Sequence, residues 1–312
     1  MKSLLALTLT SVVLAQSPAA MGEAQTGIFG RGNATAQPNL SGGAGLPSLA
    51  QITKDMQNQR EPDTTGGSGA YKASASSIAS LANHTLFAPK TLPADIKLPV
   101  VLFGNGACVG DPTQFQKFLT EIASHGYFVI ANGVLGAGFG SSSKNNSLPD
   151  AIEWVSKNAG TGEYAHVDKS RLAVSGQSCG GIQAYSASLD KRVTLTAIFN
   201  SGLTVEANTV LFDQLHAPIG YFLGGPTDIA YANGMRDFEK LPEKISRVVS
   251  NLPVGHMGTY YELQGGQFGK AAVAFFNWQM KGDAEAGKQF LDTATSPLVK
   301  AGWKIESKGF KS

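Results

Sequence analysis

The residue with the most chemical promise is Ser178, in Gly176-Gln177-Ser178-Cys179-Gly180-Gly181. An apolar run, Leu172-Ala173-Val174-Ser175, leads into it, and a helical pattern, Gly181-Ile182-Gln183-Ala184-Tyr185-Ser186, leads out. Gly-x-Ser-x-Gly between a strand and a helix is a nucleophile elbow, which raises a hydroxyl on a sharp turn. Gly176 and Gly180 lack Cβ, so neighbouring backbone can crowd against that turn. The helix then points free amides and its positive dipole end at the site. The amide of Cys179, one residue past the serine, is therefore the expected oxyanion donor.

A serine hydroxyl is almost un-ionised near neutrality and needs an imidazole to take its proton, with a carboxylate to orient that imidazole. On a strand–turn–helix elbow of this kind the acid and then the histidine follow the serine in the chain. Of His84, His125, His166, His216 and His256, only the last two do so. His216 precedes a strand, at the end facing away from the site. His256 follows the last apolar strand on a glycine-flanked loop, Gly255-His256-Met257-Gly258, and is the expected base. The acid must come from Asp190, Glu206, Asp213, Asp228, Asp237, Glu239 or Glu243. Asp228 lies just past the carboxyl end of Tyr221-Phe222-Leu223 and is selected, the competing role being a helix cap. Asp237 and Glu239 fall on the next helix, where solvated carboxylates are expected. The second oxyanion donor belongs on the loop after Val100–Phe103, in Asn105-Gly106-Ala107; the amide of Ala107 is selected, with that of Cys108 as runner-up.

The elements that must position these groups alternate strand with helix. Expected strands are His84–Pro89, Leu98–Gly104, Tyr127–Asn132, the elbow strand, Leu195–Asn200, Ile219–Leu223 and one near Val248-Val249. Expected helices follow Asp111-Pro112 as cap and first helical residue, run through Ala151–Val155, leave the elbow, pass near Phe238, and close the chain around Ala271–Phe276. This order predicts an α/β fold with a mostly parallel sheet covered by helices on both faces, and a site beyond the carboxyl ends of the strands. Phe139, Tyr231 and Phe268 are candidate walls for a substrate.

Met1 to Ala15 reads as a secretory signal peptide, with an apolar run of about a dozen residues that is too short for a bilayer. Residues 16–66, rich in Gly, Ser, Thr, Asn and Pro, read as a flexible arm or propeptide, and 67–312 as the catalytic domain. Sequons begin at Asn33, Asn39, Asn83 and Asn145, as in a glycoprotein. Lysine and arginine number 25 against 23 acidic residues, which leaves no electrostatic footprint for nucleic acid or an anionic membrane. The glycine clusters 104–110 and 136–140 miss the dinucleotide spacing, and no His-Glu-x-x-His is present to hold zinc. A secreted chain with two cysteines predicts a disulfide between Cys108 and Cys179, which would staple the oxyanion loop to the elbow.

Together, Gly104-Asn105-Gly106-Ala107-Cys108, the elbow, Gly224-Gly225-Pro226-Thr227-Asp228-Ile229-Ala230-Tyr231 and Gly255-His256-Met257-Gly258 resemble secreted fungal α/β-hydrolases related to chlorophyllases, polyester (PET) hydrolases and dienelactone hydrolases. The resemblance runs from about Gly67 to the C-terminus. It implies an α/β-hydrolase fold, ester hydrolysis through an acyl-enzyme, no cofactor and no metal, with Ser178, Asp228 and His256 as triad. A small-molecule or polymer ester is the expected partner, and the protein is expected to be a monomer. Ala107 stands where polyester hydrolases carry an aromatic residue. The rival is a non-catalytic binding protein on the same fold, for which loss of a triad member would be the sign.

Overall fold

A computed structural model of the chain describes residues 61–93, 95–138, 140–142 and 147–310. These fall in one compact unit. The expected signal peptide, most of the 16–66 arm, Asn33, Asn39, Asn145 and Phe139 lie outside the described residues.

Among the described residues nine strands form one sheet: β1 (Ala73–Ser77), β2 (His84–Pro89), β3 (Leu98–Gly104), β4 (Phe128–Asn132), β5 (Val167–Gln177), β6 (Leu195–Phe199), β7 (Ile219–Leu223), β8 (Arg247–Asn251) and β9 (Lys304–Lys308). Their order is β1-β2-β4-β3-β5-β6-β7-β8-β9. The strands from β4 to β8 pair in parallel, and β1, β2 and β9 join antiparallel at the edges. β3, β4, β6 and β7 are buried along their whole length, as continuous apolar runs in a sheet covered on both faces must be.

Side-chain alternation divides these strands between two cores. Val101, Phe103, Val129, Phe199 and Phe222 face one, packed by α1 (Gln116–Ser124) through Phe118 and Ile122. Val100, Leu102, Ile130, Val174 and Tyr221 face the other, packed by α2 (Leu148–Asn158) through Ile152 and Val155. α3 (Cys179–Ala187) and α4 (Tyr231–Lys240) join this second core through Tyr185 and Phe238. α5 (Gly266–Lys281), α6 (Ala284–Leu291) and α7 (Pro297–Lys300) join the first through Phe275, Phe290 and Leu298.

Three expectations need correction. Asp111-Pro112 does not open the first helix: a 3₁₀ turn, Thr113–Phe115, intervenes. The Asp111 carboxylate instead accepts from the amides of Thr113 (2.9 Å), Gly136 (3.0 Å) and Gly138 (2.7 Å), pinning the glycine loop after β4. α5 does not close the chain, because α6, α7 and β9 follow it. Phe268 is core rather than wall, fully buried between Tyr260 and Trp303. Tyr231, at the start of α4, packs partly buried against the second core.

The elbow joins β5 to α3 under tight packing. A Cβ on Gly180 would lie 2.0 Å from the Gly104 carbonyl oxygen, and one on Gly176 would lie 2.3 Å from the Gly180 carbonyl carbon. Both obstacles are backbone, so the helix can reach β3 and β5 only through glycine. Gly180→Ala is expected to destabilise the fold by about 3 kcal/mol, since relief requires moving α3 off the sheet. Urea denaturation of the variant checks this, and a midpoint equal to wild type would refute it.

Candidate active site

Ser178 follows β5 as the cap of α3, with φ +53° and ψ −118°, a conformation that costs a non-glycine residue of order 1–3 kcal/mol. Three contacts hold it. Its amide donates to the Phe199 carbonyl (3.0 Å), the Ser201 hydroxyl donates to its carbonyl (2.7 Å), and that carbonyl also accepts from the amides that start α3. The side chain is thereby turned beyond the carboxyl edge of the sheet, where the loops after β7 and β8 arrive.

Those loops bring Asp228 and His256 to Ser178. Ser178 Oγ lies 3.0 Å from His256 Nε2, and His256 Nδ1 lies 2.7 Å from Asp228 Oδ1. An ionised carboxylate only accepts, so Nδ1 carries the imidazole proton and Nε2 is left to accept from the serine hydroxyl. The two loops are tied to each other. The Gly255 amide donates to the Gly224 carbonyl (2.7 Å), and a Cβ on Gly224 would sit 1.9 Å from the Gly255 carbonyl oxygen. Gln177, next to the serine, donates through Nε2 to the His256 carbonyl (3.0 Å).

Asp228 is fully buried and His256 is one-fifth exposed. Burial opposes ionisation of Asp228. Donors from His256, the Ala230 amide (2.9 Å), Asn200 Nδ2 (2.8 Å) and the Gly224 amide (2.9 Å) outweigh it and hold the carboxyl below the usual range. The competing role as helix cap is not seen: α4 begins after Ala230 without a side-chain cap, and the bond from the Ala230 amide closes a turn that precedes the helix.

Asp237, expected to be solvated, is fully buried. It accepts from the Tyr185 hydroxyl (2.9 Å) and the Leu203 amide (2.6 Å) and pairs with Arg236. Burial dominates there and pushes its carboxyl up. Glu239 is exposed and pairs with Lys308. The remaining histidines have partners elsewhere: His84 the Ala82 and Ser147 carbonyls, His125 Glu121, His166 the Ile96 carbonyl and His216 the Val193 carbonyl. Among the described residues no group of three or more His, Cys, Asp or Glu side chains is arranged to hold a metal ion.

After β3 the chain makes one 3₁₀ turn, Gly106–Cys108, in which Ala107 and Cys108 adopt φ +52° and +50°. Asn105, buried beneath it, donates through Nδ2 to the Val109 carbonyl (2.9 Å) and the Asn132 carbonyl (2.6 Å). Cys108 and Cys179 are joined by a disulfide, with Cα atoms 5.3 Å apart. This ties the loop that holds Ala107 to the residue that follows the serine. Sequence reasoning missed Asn105, Gln177, Asn200 and Tyr260. Their common signal is a polar residue at or just past the carboxyl end of an apolar strand, or in a loop that leaves one.

Two outcomes follow. The bond encloses 71 residues of sequence separation, worth roughly 4 kcal/mol in the chain-entropy model. Reduction is expected to lower both melting temperature and any turnover, and unchanged turnover in the reduced, still folded protein would separate the bond from the site. Asp228 has a folded-state pKa below its unfolded value of about 3.9, so its stabilisation is whole above about pH 4 and is lost as pH falls through the folded value. The stability gap between wild type and Asp228→Asn should shrink on acidification over that window, as denaturant titrations at stepped pH would show.

Residues 68–206 match the family model described as Chlorophyllase. No curated protein sequence matches the chain. The matched stretch holds β1 to β6, the loop at Ala107 and the Ser178 elbow, while Asp228 and His256 lie beyond it. Over that stretch the chain is similar to the chlorophyllase and dienelactone hydrolase-like group, and the nine-stranded, mostly parallel sheet is an α/β-hydrolase fold, a likeness that implies a hydrolase acting on esters.

Proposed function

We propose that the protein is a secreted serine carboxylic ester hydrolase that works through an acyl-enzyme, with Ser178, His256 and Asp228 as triad and the amides of Ala107 and Cys179 as oxyanion hole. The observation that carries this reading is the unbroken chain of hydrogen bonds from Ser178 Oγ through His256 to Asp228. In the reaction Ser178 Oγ attacks the ester carbonyl carbon while His256 Nε2 takes its proton. Asp228, kept ionised by its donors, stabilises the imidazolium.

The carbonyl oxygen becomes an oxyanion. Cys179 opens α3, so its amide has no carbonyl partner within the helix and is available to bind that charge, with the helix dipole in support. Collapse expels the alcohol, which takes the proton from His256. Water, deprotonated by the same imidazole, then attacks the acyl carbon, and release of the acid restores Ser178.

Secretion is supported by the N-terminal sequence and by the disulfide, which persists in oxidising compartments. No helix among the described residues is long and apolar enough to cross a membrane. Exposed apolar side chains lie next to two of the reacting groups in sequence, Ile229 after Asp228 and Met257 after His256, and Val134-Leu135 are exposed after β4. They favour an ester with an apolar acyl or alcohol part.

Ser178→Ala is expected to lower turnover of p-nitrophenyl esters at least about 10⁴-fold with the fold intact, and Asp228→Asn roughly 10³- to 10⁴-fold. A serine-directed phosphonate should label wild type at Ser178. Near-wild-type turnover in the alanine variant, or no covalent adduct, would overturn the reading.

A further inference from the structure

Asn200 is the first residue past β6 and is fully buried, with φ +41°. Nothing in the reaction described above employs it directly, yet its carboxamide touches three separate segments of the site. Nδ2 donates to Asp228 Oδ2 (2.8 Å) and to the carbonyl of Gly255 (3.2 Å), the residue before His256. Oδ1 accepts from the Tyr260 hydroxyl.

Its orientation follows from chemistry. A carboxylate and a backbone carbonyl can only accept, so the amide nitrogen must face both of them, and the oxygen is left to the tyrosine. The phenol therefore has to donate. Burial, with the nearby Asp228 charge, pushes Tyr260 well above its ordinary pKa and keeps that proton in place. The ring is fixed in turn by edge contacts with Phe115, Phe118 and Phe268.

We infer that Asn200 is a positioning residue for the triad, and that Tyr260 acts through it. One carboxamide sets the rotamer of the Asp228 carboxylate and the distance between the acid loop and the base loop. The rigid aromatic core holds that carboxamide by way of the Tyr260 hydroxyl. Without Asn200, Oδ2 of Asp228 keeps one donor, the Gly224 amide, and the Gly255 carbonyl loses its tie to the acid loop. The imidazolium formed during acylation would then face a carboxylate held on Oδ2 by one backbone amide alone, with more room to turn away.

This inference rests on the roles proposed for Ser178, His256 and Asp228, so its test has one arm that needs no turnover. Asn200→Gly is the informative variant, because glycine accepts the positive φ and only the carboxamide is lost. Asn200→Asp keeps the shape and replaces the donor with an acceptor. Tyr260→Phe removes the hydroxyl alone.

In the wild type, proton NMR should show the His256 Nδ1 proton far downfield, and Asn200→Gly should shift or broaden it. Kinetically, kcat on a p-nitrophenyl ester should fall roughly 10- to 100-fold in Asn200→Gly with KM little changed, as for the loss of a hydrogen bond to a charged group. Asn200→Asp should be at least as damaging, whereas a residue that merely filled space would tolerate it better than glycine. Tyr260→Phe should cost less and add nothing to Asn200→Gly in the double variant.

An unshifted Nδ1 proton in Asn200→Gly, a loss confined to KM, or independent multiplication of the Asn200 and Tyr260 effects would overturn the assignment. Failure of phosphonate to label wild-type Ser178 would instead refute the hydrolase reading, and the NMR arm would still decide the role of Asn200.

Discussion

The site depends on how closely backbone can approach backbone at the end of β5. Ser178 holds a positive φ, and nothing in its side chain favours that conformation. What imposes it is the entry of α3 between β3 and β6. Gly104, Gly176 and Gly180 meet at distances no Cβ could enter, and Gly181 would place a Cβ 2.5 Å from that of Ser201. The strain is local and the compensation is spread over the hydrogen bonds at Phe199 and Ser201 and over the apolar layer that α3 helps to cover. The same approach brings the first amide of α3 next to the loop after β3.

Two aspartates on either side of one helix start show how the surroundings decide the state of a buried carboxyl. Asp228 and Asp237 are both fully buried. Asp228 collects two backbone amides, a carboxamide and an imidazole, and its carboxyl is held low. Asp237 has one amide, one phenol and a neighbouring guanidinium, and burial prevails. The first arrangement keeps a charge ready beside an imidazole. The second ties α4 to α3 and to the segment after β6 through Tyr185 and Leu203.

Much of this was legible in the sequence, and for physical reasons. Central parallel strands are apolar on both faces, so Leu98–Gly104 and Ile219–Leu223 stood out as uninterrupted runs and are found within those bounds. Asp228 could be sought in the loop just past the second of these runs, and His256 on the glycine-flanked loop after the last parallel strand. The edges were harder. β1 is Ala-Ser-Ala-Ser-Ser and β9 has a single apolar residue, Ile305, because an edge strand covered on one side needs little apolar surface. Asp237 was misjudged because helix periodicity records amphipathicity and cannot reveal that a tyrosine and a free amide from other segments complete a polar pocket. Asn200 was invisible for a related reason. Its partners lie 28, 55 and 60 positions away.

The two halves of the site are held by different means, and the difference follows from what each half must do. The proposed oxyanion side consists of backbone amides, whose placement depends only on where the chain runs. A covalent bond between Cys108 and Cys179 and the buried amide of Asn105 fix it without any titrating group. In the proposed reaction the acid–base side exchanges a proton, so a rigid covalent tie could not serve the imidazole, which would need freedom to face the serine oxygen and then the leaving group. There the restraint is a set of hydrogen bonds with defined donor direction, running from Tyr260 through Asn200 to Asp228 and His256. Direction matters in that chain. Every bond delivers a hydrogen toward Asp228, so negative charge is favoured at the carboxylate, and His256 Nε2 remains the one atom of the series still open to the serine proton.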